Sequence, residues 1–187
     1  MALGSGCRAR ASEPGNVQVD ALPVSAVFPR RHTARVHFDE MMLTLASLPP
    51  DAMTAVRECA VRLAVHSPSG TRIRRVSART QVRSTKAAGV TMAILEVLKL
   101  GSLEVGRASA LYDASEAHVD RPLDVVLAPE LPGGAPWHPL GCGAEKLVGF
   151  DITWKATRSA ADQAAFIEVG GARVLDLDVE LEPCVPE

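Results

Sequence analysis

The sequence predicts an all-β protein, an antiparallel β-sandwich stabilised by two disulfides. Polar and apolar residues alternate over 147–155 and again over 175–182, as in strands with one buried face. No long stretch shows the 3.6-residue period of an amphipathic helix. Turn residues recur at short intervals, which favours two packed antiparallel sheets. Four cysteines lie far apart, without the short spacings of a metal site: Cys7, Cys59, Cys142 and Cys184.

Length and charge restrict the domain count and the partners. The 187 residues suit one domain, so we expect an N-terminal arm over 1–15 and a single β-sandwich domain over 16–187. Lys and Arg total 20 against 22 Asp and Glu, and this net charge of −2 disfavours nucleic acid. The longest apolar stretch, 90–98, is interrupted by Glu96 and falls short of the roughly 20 residues that cross a bilayer. We expect no membrane span.

The first half of the sequence predicts strands and one hairpin. Residues 34–45 begin as a half-buried strand, which a Pro-Pro pair ends. Residues 51–58 suit either a short helix or a loop. From Cys59 to His66 the residues alternate again, and Ser67-Pro68-Ser69-Gly70 has the composition of a tight turn. We therefore expect 59–66 and 76–83 to form a hairpin.

The second half predicts the remaining strands of a total of about nine. Two long apolar segments, 90–100 and 103–112, are predicted as central strands, and 123–127 as a short one. The Pro- and Gly-rich stretch 129–139 is predicted as a loop, and the Ala-rich 157–165 as a connection of one or two helical turns at most. In the strand over 147–155, Trp154 alternates with other apolar residues and is expected in the core.

The cysteines indicate the compartment and the crosslinks. Four cysteines permit three pairings, and a disulfide framework persists in an oxidising compartment, so we expect a secreted protein. Cys142 precedes one predicted strand and Cys184 ends another; if these strands are antiparallel neighbours, the two cysteines meet. We therefore favour Cys142 with Cys184 and, by default, Cys7 with Cys59. No signal peptide is visible, so we expect that Met1 replaces a removed one; the alternative is a cytosolic protein with four free thiols.

Several landmarks follow one another along the chain: Gly4-Ser5-Gly6-Cys7, the strand over 34–40, Cys59–Leu63 leading into His66–Gly70, Trp137-His138-Pro139 before Cys142-Gly143, and the strand that closes on Cys184. In this order and spacing the landmarks resemble the secreted family known as domain of unknown function 4360. The resemblance implies a secretion signal, four framework cysteines, a β-rich fold and no assigned activity. The chain departs from that family at 139–141, where three residues separate His138 from Cys142, and before Cys184, where Glu-Pro replaces an aromatic and basic pair.

Candidate sites are few, and each has an ordinary structural interpretation. The acidic edge Asp176, Asp178, Glu180 and Glu182 has oxygen ligands for calcium, but same-face neighbours on a strand lie nearly 7 Å apart. We therefore favour a solvated face opposite Arg72, Arg74, Arg79 or Arg83. His37 and Asp39 share one strand face and suit exposed polar positions. Trp137 and His138 lie in a proline-braced loop and form the possible contact loop. The tryptophan serves either as a contact surface or as a plug beneath the loop, and we expect the plug because the flanking prolines limit how far the ring can project. We expect no catalytic residue, metal or cofactor.

The leading functional hypothesis is a secreted, non-catalytic interaction module. Its partner is an unknown protein or surface polymer, bound by the loop over 129–142. A first alternative is a secreted hydrolase with a site assembled from dispersed residues such as His138, Asp151 and Ser109, although no hydrolase motif marks them. A second alternative is a protease inhibitor that inserts the proline-braced loop into a cleft.

Overall fold

The protein is all-β, with two antiparallel sheets packed as a sandwich. The computed structural model describes residues 2–3, 17–21, 31–38, 41–127, 141–143, 145–169 and 174–184, and these contain twelve strands and no helix. The strands are β1 (Ala2–Leu3), β2 (Val17–Ala21), β3 (Arg31–Phe38), β4 (Met42–Thr44), β5 (Thr54–His66), β6 (Thr71–Lys86), β7 (Val90–Leu100), β8 (Leu103–Tyr112), β9 (His118–Leu127), β10 (Glu145–Arg158), β11 (Ala165–Val169) and β12 (Val174–Pro183).

The first sheet has five strands in the order β1-β5-β10-β7-β8. Its central strand, β10, pairs with β5 over Glu145–Thr157 and with β7 over Val148–Arg158. β7 and β8 form a hairpin through Gly101-Ser102, where Leu100 pairs with Leu103. Gly101 has φ +62°, a conformation that residues with a side chain rarely adopt, which explains glycine there. Strands are confirmed over both predicted segments, 90–100 and 103–112, but only β7 is central, because β8 ends this strand order.

The second sheet is built along the long strand β6. One edge of β6 pairs with β12 over Thr71–Thr80 and then with β11 over Val82–Lys86, and the other edge pairs with β9. Beyond β12 lie β3 and β2, and beyond β11 lies β4. The last strand therefore runs between β3 and β6, well inside its sheet.

The inner faces of the sheets form the core that the alternation predicted. On β10 and β12 the apolar series is buried and the polar series lies outside. The hydrophobic effect contributes about 1.5–3 kcal/mol for each large apolar side chain buried in this way. Trp154 has no solvent exposure, which confirms its predicted place in the core. The buried side chains of these two strands are Val148, Phe150, Ile152, Trp154, Ala156, Arg158, Leu175, Leu177 and Val179.

The predicted hairpin at Ser67–Gly70 is wrong. β5 belongs to the first sheet and β6 to the second, so the turn carries the chain from one sheet to the other. The predicted helix or loop over 51–58 is also a strand from Thr54 onward, because these residues pair with β10. The region 157–165 contains no helical turn, and the strands outnumber the predicted nine.

The Cys142–Cys184 disulfide is present, but for a different reason than expected. Cys142 precedes β10 in the first sheet and Cys184 follows β12 in the second, so these strands are not neighbours. Both cysteines lie beside the turn between the sheets: the backbone N–H of Gly143 donates to Thr71 O at 2.9 Å, and that of Cys184 donates to Gly70 O at 2.9 Å. The disulfide therefore fastens the two sheets together at this end of the sandwich.

The second expected crosslink and the arm are only partly described. Cys59 is buried and is not a free thiol, whereas Cys7 lies outside the described residues, so the Cys7–Cys59 pairing stays a prediction. Within the expected arm over 1–15, Ala2 and Leu3 pair with β5 as the short edge strand β1.

Candidate functional site

A cleft of about 360 Å³ opens between the two sheets, at the end where the disulfide lies. The first sheet contributes the end of β5, and the second contributes the start of β3 and the end of β12. The cleft is open to solvent, and its wall is mainly aliphatic. The lining residues are His32, Thr33, Ala34, Leu63, Ala64, Val65, His66, Pro68, Leu177, Val179 and Leu181.

The strand edges explain why consecutive residues line this cleft. Side chains of alternate residues on a strand point to opposite faces, so a flat inner face would contribute only every second residue. Here 63–66 on β5 and 32–34 on β3 all contribute. The cleft therefore lies at the border of the sandwich, where residues from both faces of β5 and β3 line it.

The edge of β5 that faces away from β10 pairs with the short strand β1. β1 pairs only with Val61 and Arg62, and among the described residues no strand pairs with the same edge over 63–66. The other edge of this segment pairs with β10, from Leu147 opposite Ala64 to Glu145 opposite His66. One side of the segment is thus fixed in the sheet, and the other borders the cleft.

The sequence gives the cleft an apolar floor and a polar rim. Leu177 and Val179 continue the inward-facing series of β12 and are buried at the floor. Leu63 and Val65 continue the inward series of β5 but are only half-buried, because nothing described covers them fully. His32 is exposed, as is His66. The cleft can therefore shelter an apolar group and contact polar groups at its mouth.

Charge pairs hold the second sheet around the cleft. Arg35 donates to both carboxylate oxygens of Asp176, at 2.7 and 2.9 Å, and joins β3 to β12. The hydroxyl of Thr33 donates to Asp178 at 2.5 Å, beside the lining residues. The predicted acidic edge of β12 is thus engaged with its neighbours, and Glu182 likewise pairs with Arg72 at 2.6 Å. Among the residues described, no three or more His, Cys, Asp and Glu side chains are grouped to hold a metal ion.

The structure separates two of the three residues suggested for a hydrolytic site. Asp151 and Ser109 both lie on the outer face of the first sheet, two strands and two residues apart by register, which is about 12 Å. Asp151 forms ion pairs with Arg62 and with Lys99, the latter at 2.6 Å. Burial raises the pKa of Asp151, but these two cations outweigh it and lower the pKa below its usual value. The Asp151 carboxylate therefore joins β10 to its neighbours β5 and β7 through ion pairs.

Three of the predicted site residues lie outside the part of the chain that the structure describes. Trp137 and His138, with the loop that holds them, lie outside the described residues, as does Asp39. His37 is half-buried and has an interaction partner. The possible contact loop therefore stays a prediction, and the structure offers a different candidate in the inter-sheet cleft.

Glu96 is a buried acid whose role the sequence analysis missed. It belongs to the inward-facing series of β7, has no solvent exposure, and lies in register between Ile152 and Ala108. Neither of its carboxylate oxygens has a well-formed hydrogen bond to a described residue, and the same holds for the indole Nε1 of Trp154. Burial raises the pKa of Glu96 to about 8, and the nearby indole of Trp154 lowers it only in part. Its interruption of an apolar run was the visible signal.

Comparison with known proteins leaves the family open. No family model matches the chain, and neither does any curated protein. Among solved structures, TmCBM61 in complex with beta-1,4-galactotriose is similar over 90% of this chain and 88% of that one, at 10% identity and a TM-score of 0.29. Infectious bursal disease virus Gx strain is similar over 95% of this chain at 14% identity and a TM-score of 0.22; the match spans less than half (45%) of that chain. No helix that the structure describes is long and apolar enough to cross a membrane.

Proposed function

We propose that this protein is a secreted, non-catalytic interaction module that receives an apolar group of its partner in the inter-sheet cleft. The observation that carries the proposal is the cleft itself: an aliphatic hollow of about 360 Å³ with half-buried Leu63 and Val65 on its wall. Its volume lies within the range of about 300–1,000 Å³ that is typical of ligand sites.

Burial of the cleft wall would supply the binding energy. Half-buried aliphatic side chains still contact water, and covering them contributes about 25 cal/mol for each Å² of apolar surface removed from water. The outer faces of the sheets offer less, because charged groups such as Asp151 and Asp176 are already engaged in ion pairs there. A partner gains most from the cleft.

Secretion forms part of the proposal and is supported by the crosslink. The Cys142–Cys184 disulfide joins the two sheets beside the cleft, and such bonds persist in oxidising compartments. A fixed separation of the sheets also preserves the cleft in the absence of a partner. Membership of the family known as domain of unknown function 4360 stays a prediction that agrees with secretion.

The test fills the cleft and measures the binding of a small apolar probe. The fluorescence of 1-anilinonaphthalene-8-sulfonate should increase on addition of the native protein, since the dye enters the cleft. Ala34→Leu places a larger side chain at the cleft wall and should weaken dye binding about tenfold or more. Ala93→Leu makes the same change on the outer face of the first sheet and should leave dye binding unchanged.

The opposite pattern would overturn the proposal. If Ala34→Leu keeps its melting temperature and binds the dye as the native protein does, the cleft is not the apolar site. Hydrolysis of ester, peptide or glycoside substrates by the native protein, lost on substitution of a cleft residue, would contradict the non-catalytic role.

A further inference from the structure

The Cys142–Cys184 disulfide connects two segments that lead directly into the walls of the cleft. Cys184 follows Leu181 by three residues at the end of β12, and Leu181 lines the cleft. Cys142 precedes Glu145, the first residue of β10, which lies opposite the cleft residue His66 on β5. The crosslink therefore joins the wall that the second sheet contributes to the strand that supports the wall of the first sheet.

The end of β12 is separated from the rest of its strand by a β-bulge. The register with β6 shifts between Glu180 and Leu181, and the pairing of β12 with β3 ends at Glu180. Beyond the bulge, the segment Leu181–Pro183 pairs with β6, and the Glu182 carboxylate accepts a hydrogen bond from Arg72 at 2.6 Å. A bulge interrupts the ladder and allows a strand to bend. The end of β12 can therefore change its angle to the sheet while the body of the strand stays in place.

The crosslink is more accessible to a reductant than the third described cysteine. Cys142 is exposed and Cys184 is half-buried, whereas Cys59 is only 2% exposed. Thiol–disulfide exchange requires that a thiolate reach one of the two sulfurs, and exposed disulfides are the ones that reductants break most readily. A soluble dithiol should therefore reduce the Cys142–Cys184 bond under conditions that leave the buried Cys59 protected.

We propose that the Cys142–Cys184 disulfide is a redox switch of the cleft: the oxidised form holds the walls in the arrangement that binds an apolar group, and the reduced form binds this group weakly. This inference rests on the proposed function and names the regulation of the same site. A wall that is already fixed loses little conformational freedom on binding, and release of the crosslink adds that entropic cost. The switch confines binding to oxidising surroundings, which agrees with the proposed secretion.

The switching reaction is a two-electron thiol–disulfide exchange with a dithiol. One thiolate of the dithiol attacks the Sγ of Cys142, the S–S bond breaks, and Cys184 leaves as a thiolate that takes a proton from water. The second thiolate of the dithiol then displaces Cys142 from the mixed disulfide, and the released Cys142 thiolate is protonated in turn. The protein gains two thiols, and the dithiol, which has released two protons, is oxidised to its cyclic disulfide.

The test compares dye binding by the oxidised and the selectively reduced full-length protein. After treatment with dithiothreitol, an aliquot is alkylated, and mass spectrometry of its peptides identifies the cysteines that were reduced. The reduced protein should bind 1-anilinonaphthalene-8-sulfonate about tenfold more weakly than the oxidised protein, and reoxidation should restore the affinity. The double variant Cys142→Ser with Cys184→Ser should bind the dye like the reduced protein, and its affinity should not respond to dithiothreitol.

Near-ultraviolet circular dichroism, to which the buried Trp154 contributes, monitors the fold of each form. The signal should be the same for the oxidised protein, the reduced protein and the double variant. Its loss in both crosslink-free forms would overturn the switch, because the disulfide would then maintain the whole fold. If dithiothreitol also reduces Cys59, the switch is decided by comparing the double variant with the oxidised native protein.

The dye titrations separate the switch from the proposed function. Unchanged or tighter dye binding by the folded, reduced protein and by the double variant would overturn the switch and leave the apolar cleft function standing. An absence of dye binding by the oxidised native protein would refute the cleft function itself, and the switch with it.

Discussion

Glu96 makes the stability of this protein depend on pH in an unusual direction. The side chain is fully buried on the inner face of β7, without a well-formed hydrogen bond to the described residues. Burial raises the pKa of Glu96 from 4.5 to about 8. The folded protein therefore retains the proton between these two values, while the unfolded chain releases it.

The sign and size of the effect follow from linkage. Because the folded state binds the extra proton, the free energy of unfolding falls by about 1.4 kcal/mol per pH unit in that interval. The contribution is most favourable below pH 4.5, is reduced by about 3 kcal/mol at pH 7, and levels off above pH 8 after a loss of about 5 kcal/mol. Glu96→Gln keeps the shape of the neutral acid and removes the titration.

Urea unfolding of the native protein and of Glu96→Gln from pH 4 to pH 9 measures this effect. The two proteins should have similar stability at pH 4, and the variant should be more stable by about 3 kcal/mol at pH 7. Glu58→Gln, an exposed change in the same sheet, should leave the pH profile as it is. A difference between native protein and Glu96→Gln that does not vary with pH would refute the reasoning.

Three further changes test the packing of the loops and the crosslink. Arg158 is buried and donates to three backbone carbonyls at 2.6, 2.8 and 3.1 Å. Arg158→Met should therefore lower the free energy of unfolding in urea by about 3 kcal/mol or more. A loss below about 1 kcal/mol would contradict a structural role of these hydrogen bonds. Gly89 has φ +85°, and an added Cβ would lie 1.8 Å from the Gln163 amide nitrogen. Gly89→Ala should therefore lower the free energy of unfolding by about 2 kcal/mol, and combining it with Gln163→Ser should restore only part of this loss. Full restoration would show that the backbone is not strained. The double variant Cys142→Ser with Cys184→Ser opens a loop of 42 residues. It should lower the free energy of unfolding by about 4 kcal/mol on the chain-entropy model. An unchanged melting temperature would show that the crosslink does not stabilise the fold.

The sequence predicted which side chains of a strand are buried much better than it predicted which strands pair with one another. Alternation identified the buried series of β10 and β12 because it depends only on local period and on one apolar side. The turn at Ser67–Gly70 suits a hairpin and a crossing between sheets equally well. The choice depends on pairing of β5 with β10 and of β6 with β12, which are distant in sequence.

The sequence did not predict the candidate site, because the cleft depends on features that leave little trace in the local sequence. The cleft lies between β3, β5 and β12, which are distant in sequence, and composition does not reveal that these strands meet at the border of the sandwich. The disulfide between Cys142 and Cys184 was predicted correctly from a wrong arrangement, since strands in opposite sheets can also end side by side. Glu96 was visible in the sequence as an acid within an apolar run, but that its side chain is fully buried could be learned only from the structure.

The most direct test of the central claim is NMR spectroscopy of the protein with and without 1-anilinonaphthalene-8-sulfonate. A cleft that shelters an apolar group predicts that the signals of Leu63, Val65 and Leu177 shift as the dye is added, because these side chains line the cleft. The signals of β8, at the opposite end of the first sheet, should stay as they are. Unchanged signals of the cleft residues with a saturating dye, or shifts confined to β8, would contradict the account.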